Sequence, residues 1–150
     1  THEPAPRAAR RTLMNNSRLE QAFAEWLIAT GISTLVHAGS TPEQISNDAP
    51  TIIVSVPEVQ HVVGPLHKAT VNLIVSAPAY HTALDAYRQS ATELRERVRA
   101  FQNNQLAMHL TAAGFSLGGI FVQESGEQIE DSRWINALSL TVGLRENPPG

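Results

Sequence analysis

The sequence predicts an α+β domain: a mixed, mostly antiparallel sheet of about four strands, with a long amphipathic helix and an N-terminal helix packed on it. Three stretches of the 150-residue chain carry this expectation. In residues 69–101 the period changes partway along. Val71, Leu73 and Val75 alternate with Thr70, Asn72 and Ile74, as on a pleated strand. Pro78 ends that pattern because it has no N–H to continue a ladder. Leu84, Tyr87, Ala91, Leu94, Val98 and Phe101 then recur at spacings of three and four, the stripe of a helix lying across a sheet. Residues 51–56 (TIIVSV) are β-branched and nearly all apolar, so they read as a strand buried on both faces. Residues 134–144 alternate most cleanly, with Trp134, Leu138, Leu140, Val142 and Leu144 on one face.

The remaining elements follow in chain order. Residues 1–16 read as a flexible basic arm: Pro4 and Pro6 resist regular structure, and Arg7, Arg10 and Arg11 lack an apolar face. Contact with a neighbouring subunit or a polyanion is the alternative that would order it. The domain proper spans 17–144, followed by a C-terminal tail at 145–150. Ser17 reads as an N-cap with Glu20 completing a capping box. Leu19, Phe23, Trp26, Leu27 and Thr30 line one side of the helix that follows, Gly31 ends it, and Trp26 reads as a core anchor. Residues 32–36 form a short extended piece and 39–50 a loop rich in turn formers.

Pro57 ends or edges the 51–56 strand. Residues 58–66 then form a link, readable as a long hairpin turning at Gly64-Pro65, whose distal half the core supports poorly. Glu58, Gln60, His61 and Val62 on that tip, with the exposed Val59 and Val63, make it a candidate contact surface. Residues 106–113 lead as a short helix to Gly114. Residues 115–123 have strand character with a bulge at Gly118-Gly119. An acidic loop follows, in which Glu124, Glu127, Glu130 and Asp131 form a second candidate subunit surface.

Composition narrows the function classes. A net charge of −3 argues against a domain dedicated to nucleic acid, which would carry a basic field. The absence of cysteine excludes disulfides, thiolate catalysis and zinc–thiolate sites. No apolar run approaches the roughly 20 residues of a membrane span, and no hydrophobic signal core opens the chain. The expectation is a protein made and kept in a cytoplasm, or assembled from it, with no membrane partner. Its charged fraction of 17% leaves much of the surface neutral, which suits a subunit covered by neighbours.

Catalytic apparatus does not assemble from the sequence. Gly114-Phe-Ser116-Leu-Gly118 matches G-x-S-x-G, but a nucleophile elbow needs a helix after the serine and a histidine downstream. A strand follows here, and the last histidine is His109. His2, His37, His61, His67, His81 and His109 show no i, i+4 metal-site spacing. His61 and His67 alone flank a turn and could approach across a hairpin. The acidic residues lack a pocket that would shift their pKa values. Arg88, Glu93, Arg95, Glu96, Arg97 and Arg99 read as a solvated helix face, with Glu93→Arg97 an i, i+4 pair. No enzyme activity, cofactor or metal is expected.

The order of elements resembles that of the tail-terminator (tail-completion) proteins of long-tailed bacteriophages. The residues carrying the likeness are VNLIVSAP at 71–78, LDAYRQSATELRERV at 84–98, LAMHLTAAGF at 106–115 and DSRWINALSLTV at 131–142. The likeness is one of pattern and order from Ser17 to Leu144; the basic arm has no counterpart. The resemblance implies a structural virion protein, assembled in the host bacterial cytoplasm, that forms a homohexameric ring at the head–tail junction. Such a ring caps the tail tube, ends its polymerisation and offers a docking surface to the head. Its partners would be further copies of itself, the tail tube protein, and a head-completion or neck protein. DNA would pass through without specific binding, past a weakly acidic wall. Another neck or adaptor component, a generic oligomeric binding domain, and a small serine hydrolase around Ser116 remain the alternatives.

Overall fold

Alternating apolar residues along four long strands, and apolar stripes along the helices, meet at one buried layer in the computed structural model. It describes residues 7–39, 49–79 and 84–148, with side chains from Asn16 onward. The elements run α1 (Arg7–Ala29), β1 (Leu35–Ala38), β2 (Thr51–Val63), β3 (Leu66–Pro78), α2 (Leu84–Arg99), α3 (Leu106–Ala112), β4 (Phe115–Glu130) and β5 (Arg133–Glu146). The five strands form one sheet in the order β1-β2-β3-β5-β4. β1 lies parallel to β2, and every other pairing is antiparallel. The α+β class and mixed, mostly antiparallel sheet expected from the sequence are present. The fifth strand is the short extended piece after α1, which the parallel pairing with β2 completes.

All three helices pack on one face. Residues 69, 71, 73, 75 and 77 of β3 and 138, 140, 142 and 144 of β5 point towards them, with Ile52, Val54 and Val56 from β2. Phe23, Trp26, Tyr87, Leu94, Leu106 and Leu110 close the core from the helix side. The other face carries no helix among the described residues; Asn72, Ile74, Ser139 and Thr141 lie half-buried along it.

Four local expectations change in three dimensions. First, β2 does not stop at Pro57. β1 pairs only with residues 51–54, so beyond them the outer edge of β2 has no ladder for Pro57 to interrupt. A bulge between Ser55 and Glu58 absorbs the proline, and the strand continues to Val63. Second, the acidic segment is not a loop. β4 runs through it to Glu130, and only Asp131-Ser132 turn, with φ of 50° and 62°, the left-handed pair of a tight two-residue hairpin.

Third, α1 begins at Arg7, so the backbone of residues 7–16 is helical rather than irregular and Ser17 lies inside the helix. Ala8, Ala9, Arg10, Arg11, Leu13 and Met14 are strong helix formers, which carries the helix past the weak cap. Glu20 serves β2 instead of a capping box: its Oε2 accepts the Val56 N–H at 2.8 Å, beside the bulge. Fourth, β5 extends to Glu146, whose N–H donates to the Pro65 carbonyl at 2.8 Å. His2, His81 and most of the loop read at 39–50 lie outside the described residues.

The bulge at Gly118-Gly119 stands where the sequence places it, between the pairs Leu117–Leu144 and Ile120–Val142. Glycine is required there by a close approach. A Cβ on Gly118 would sit 3.0 Å from the Gly143 carbonyl oxygen, a backbone atom that cannot move away without shifting β5.

Candidate functional site

The two long hairpins, β2–β3 and β4–β5, turn at opposite ends of the sheet. Leu66 at the first turn pairs with Arg145 at the far end of β5. Each turn carries one of the two sequence-predicted surfaces, so the structure keeps these surfaces apart.

At the β2–β3 end, Glu58, Gln60, His61 and Val62 are all exposed. The Gln60 side-chain amide donates to the Glu58 carboxylate. His61 pairs with His67 across the strands, ring centroids 5.4 Å apart, so the approach of these two histidines is present. His61 Nε2 lies 2.7 Å from the Gly64 carbonyl and His67 Nε2 lies 3.3 Å from a Glu146 carboxylate oxygen. No group of three or more potential metal ligands gathers among the described residues. Val62, Val63 and Leu66 are exposed at the turn. Beside them, past the glycine bulge of β4, Phe121 also stands exposed. Together these elements border an open, mainly apolar groove of about 680 Å³, which Lys68 and Arg145 also line.

At the β4–β5 end the four acidic residues divide into two pairs. Glu124 and Glu127 face α2. Arg95 Nε donates to Glu124 Oε1 at 2.6 Å, and Arg88 grips Glu127 with Nε to Oε1 at 2.7 Å and Nη2 to Oε2 at 3.0 Å. Consecutive side chains of a strand alternate faces, so positions 124 and 127 should point opposite ways. A bulge sets Ser125 and Gly126 against Ala137 and brings both carboxylates to the helix side. Gly126 takes φ 78°, and the Ala137 N–H donates to Ser125 Oγ at 3.1 Å. Glu130 and Asp131 sit at the turn and have no ion-pair partner among the described residues.

The Arg88 hydrogen bond is the main reason the Glu127 carboxyl is held below its ordinary value, and the same bond raises the Arg88 guanidinium. A depressed carboxylate contributes stability above its unfolded pKa and loses it as pH falls through the folded one. The pair is solvent-exposed, so its contribution is small.

Tyr87 on α2 stacks on Trp134 of β5, ring centroids 6.1 Å apart, close to these pairs. Its hydroxyl is buried with no hydrogen-bond partner among the described residues. Burial foremost, then the Glu127 carboxylate, pushes the phenol up to about 12, against the opposing pull of Arg95 and Arg88. The folded state therefore holds this proton more tightly than the unfolded chain, and the corresponding stability is lost as pH rises from about 10 towards about 12. Tyr87→Phe removes an unpaired buried hydroxyl while keeping the ring stack. It should raise stability by about 1 kcal/mol at neutral pH, and flatten the alkaline decline in urea unfolding midpoints. A loss of stability at neutral pH would show that the hydroxyl has a partner.

Ser116 lies on β4, and its Oγ donates to Asn147 Oδ1 at 2.7 Å; no helix follows it. The residues that sequence reading missed are Arg88 and Arg95 as partners of the carboxylates, together with Phe121 and Ile129 as exposed apolar residues. Arg88 and Arg95 are seven apart, two helical turns, which places them on one face. The dipeptide Ser125-Gly126 was the available sign of the bulge that aligns their partners. Among known proteins, no family model and no curated sequence matches this chain.

Proposed function

We propose that this chain is a structural assembly protein: a tail terminator that forms a ring on a phage tail tube, ends tube polymerisation and provides the surface for head docking. The observation that carries the reading is the distribution of exposed apolar residues. Val62, Val63 and Leu66 at one hairpin end and Phe121 and Ile129 on β4 are exposed although the protein has a well-filled core. Large apolar side chains exposed together mark surfaces that contact other protein. The order of elements, which resembles that of tail terminators, supports this reading, and the net charge of −3 suits a channel wall past which DNA slides. Copies of the same chain, the tube protein and a head-completion or neck protein are the partners.

The test is genetic. Removing the gene from its phage should leave free heads and tails of irregular, overlong length in electron micrographs. Normal tails with unsealed heads would instead assign the chain to the neck, as an adaptor between head and tail.

A further inference from the structure

One strand, β4, carries two complementary surfaces at its ends. Near its start lies the groove bordered by Leu66, Phe121 and Gly143, in which Phe121 is 67% exposed and Lys68 and Arg145 supply positive charge. At its other end Ile129 is 60% exposed. It is followed by Glu130 and Asp131, the two carboxylates that α2 leaves unpaired. Arg133 is the cation nearest them along the ladder, opposite Glu130, but its Nε is turned to Ser76 Oγ at 2.8 Å. One end is thus an apolar concavity with cations; the other is a strand tip with Ile129 on the helix face, Glu130 on the opposite face and Asp131 at the turn. About ten residues of extended chain separate them, roughly 30 Å, so they cannot meet within one molecule.

We propose that the acidic β4–β5 turn of one chain, with Ile129 as its apolar anchor, docks into the Phe121 groove of a second copy. The contact is heterologous: each chain gives its turn to one neighbour and its groove to another, so the association closes into a ring or runs on as a filament. The inference rests on the reading that the chain assembles with itself, and it names the surfaces involved. Opposite charges set the register of the two partners, and burial of Ile129 against Phe121 supplies the anchor.

The experiment uses two variants of the full chain at exposed positions, Phe121→Glu in the groove and Ile129→Lys on the turn, followed by sedimentation velocity. Wild type should show concentration-dependent association, and each variant alone should associate at least about tenfold more weakly, the equivalent of 1.4 kcal/mol. Mixed in equal amounts, the two should form a dimer and stop there. The intact turn of Phe121→Glu still fits the intact groove of Ile129→Lys, and no further contact is possible. Lys68→Glu should weaken association, and adding Asp131→Lys to the same chain should restore it, a pattern that misfolding cannot produce. Variants that associate like wild type, or a mixture that stays monomeric, overturn the inference. If they do so while the gene still controls tail length, the proposed function stands and only this contact falls; normal tail length in the gene deletion removes the function whatever the mixture shows.

Discussion

Replacing Trp26 with alanine should cost about 3–5 kcal/mol of folding stability, a loss measurable as a drop in urea midpoint with unchanged slope. Trp26 is fully buried and meets Phe23 edge to face, ring centroids 6.2 Å apart. Its Nε1–H donates to the Asn104 carbonyl at 3.0 Å. That bond clamps the connection between α2 and α3, where Asn104 Nδ2 also donates to the Arg97 carbonyl at 3.3 Å. Alanine therefore leaves both a cavity and an abandoned carbonyl. For a chain of this length each kcal/mol moves the melting temperature by about 2–4 °C, so the variant should melt roughly 6–20 °C lower. Trp26→Phe is the milder change: it keeps an aromatic ring, leaves a smaller cavity and loses the donor, for about 1–3 kcal/mol. A cost below about 1 kcal/mol for the alanine variant would remove Trp26 from its place as the anchor between helices and sheet.

The second large effect is a contrast along one strand. Leu73 is 0% exposed and Leu66, seven residues earlier on β3, is 44% exposed. Leu73 lies between Val54 and Leu138, both buried, in the central strand of the sheet. Leu73→Ala should cost about 2–5 kcal/mol, whereas Leu66→Ala should stay within about 1 kcal/mol because water already reaches that site. Equal losses at the two positions, read from thermal unfolding of the full chain, would show that the hairpin end is part of the core. The working surfaces proposed above require the opposite, since a tip that stabilises the monomer is not free to be optimised for a partner.

Residue periodicity made most of the framework legible. The stripe of Tyr87, Ala91, Leu94 and Val98 is buried as read. The alternation along residues 134–144 put Leu138, Leu140, Val142 and Leu144 into the core. Gly118-Gly119 marked its bulge because only glycine permits the Gly143 carbonyl to come so close. What escaped depended on contacts made elsewhere in the chain. Pro57 read as ending or edging its strand, and the shortness of β1 decides for the edge: in a strand paired on both sides it would be a stop. The segment from Glu124 to Glu130 looked like a solvated loop because strands seldom carry so many carboxylates. Pairing with β5 and the two arginines of α2 hold it extended.

The same division applies to the candidate surfaces. The turn formers at Gly64-Pro65 indicated the first hairpin, whereas the acidic segment read as a loop, and the internal organisation of both was hidden. No local pattern distinguishes Glu124 and Glu127, which serve the fold, from Glu130 and Asp131, which remain available. The sorting is done by the Ser125-Gly126 bulge and by the position of α2 across the sheet.

By itself the sequence determined the elements: the period of each stretch, the residues that face a core, the α+β class, and the lack of cysteine chemistry. These are properties of a residue and its near neighbours, set by side-chain polarity and backbone freedom. Only the tertiary structure decided which charges are neutralised, that β2 continues as a strand past Pro57 to Val63, and that β4 joins an apolar groove with cations to an acidic turn. Those outcomes depend on register and on the distance between groups far apart in the chain, and a one-residue slip or a single bulge reverses which face a side chain occupies.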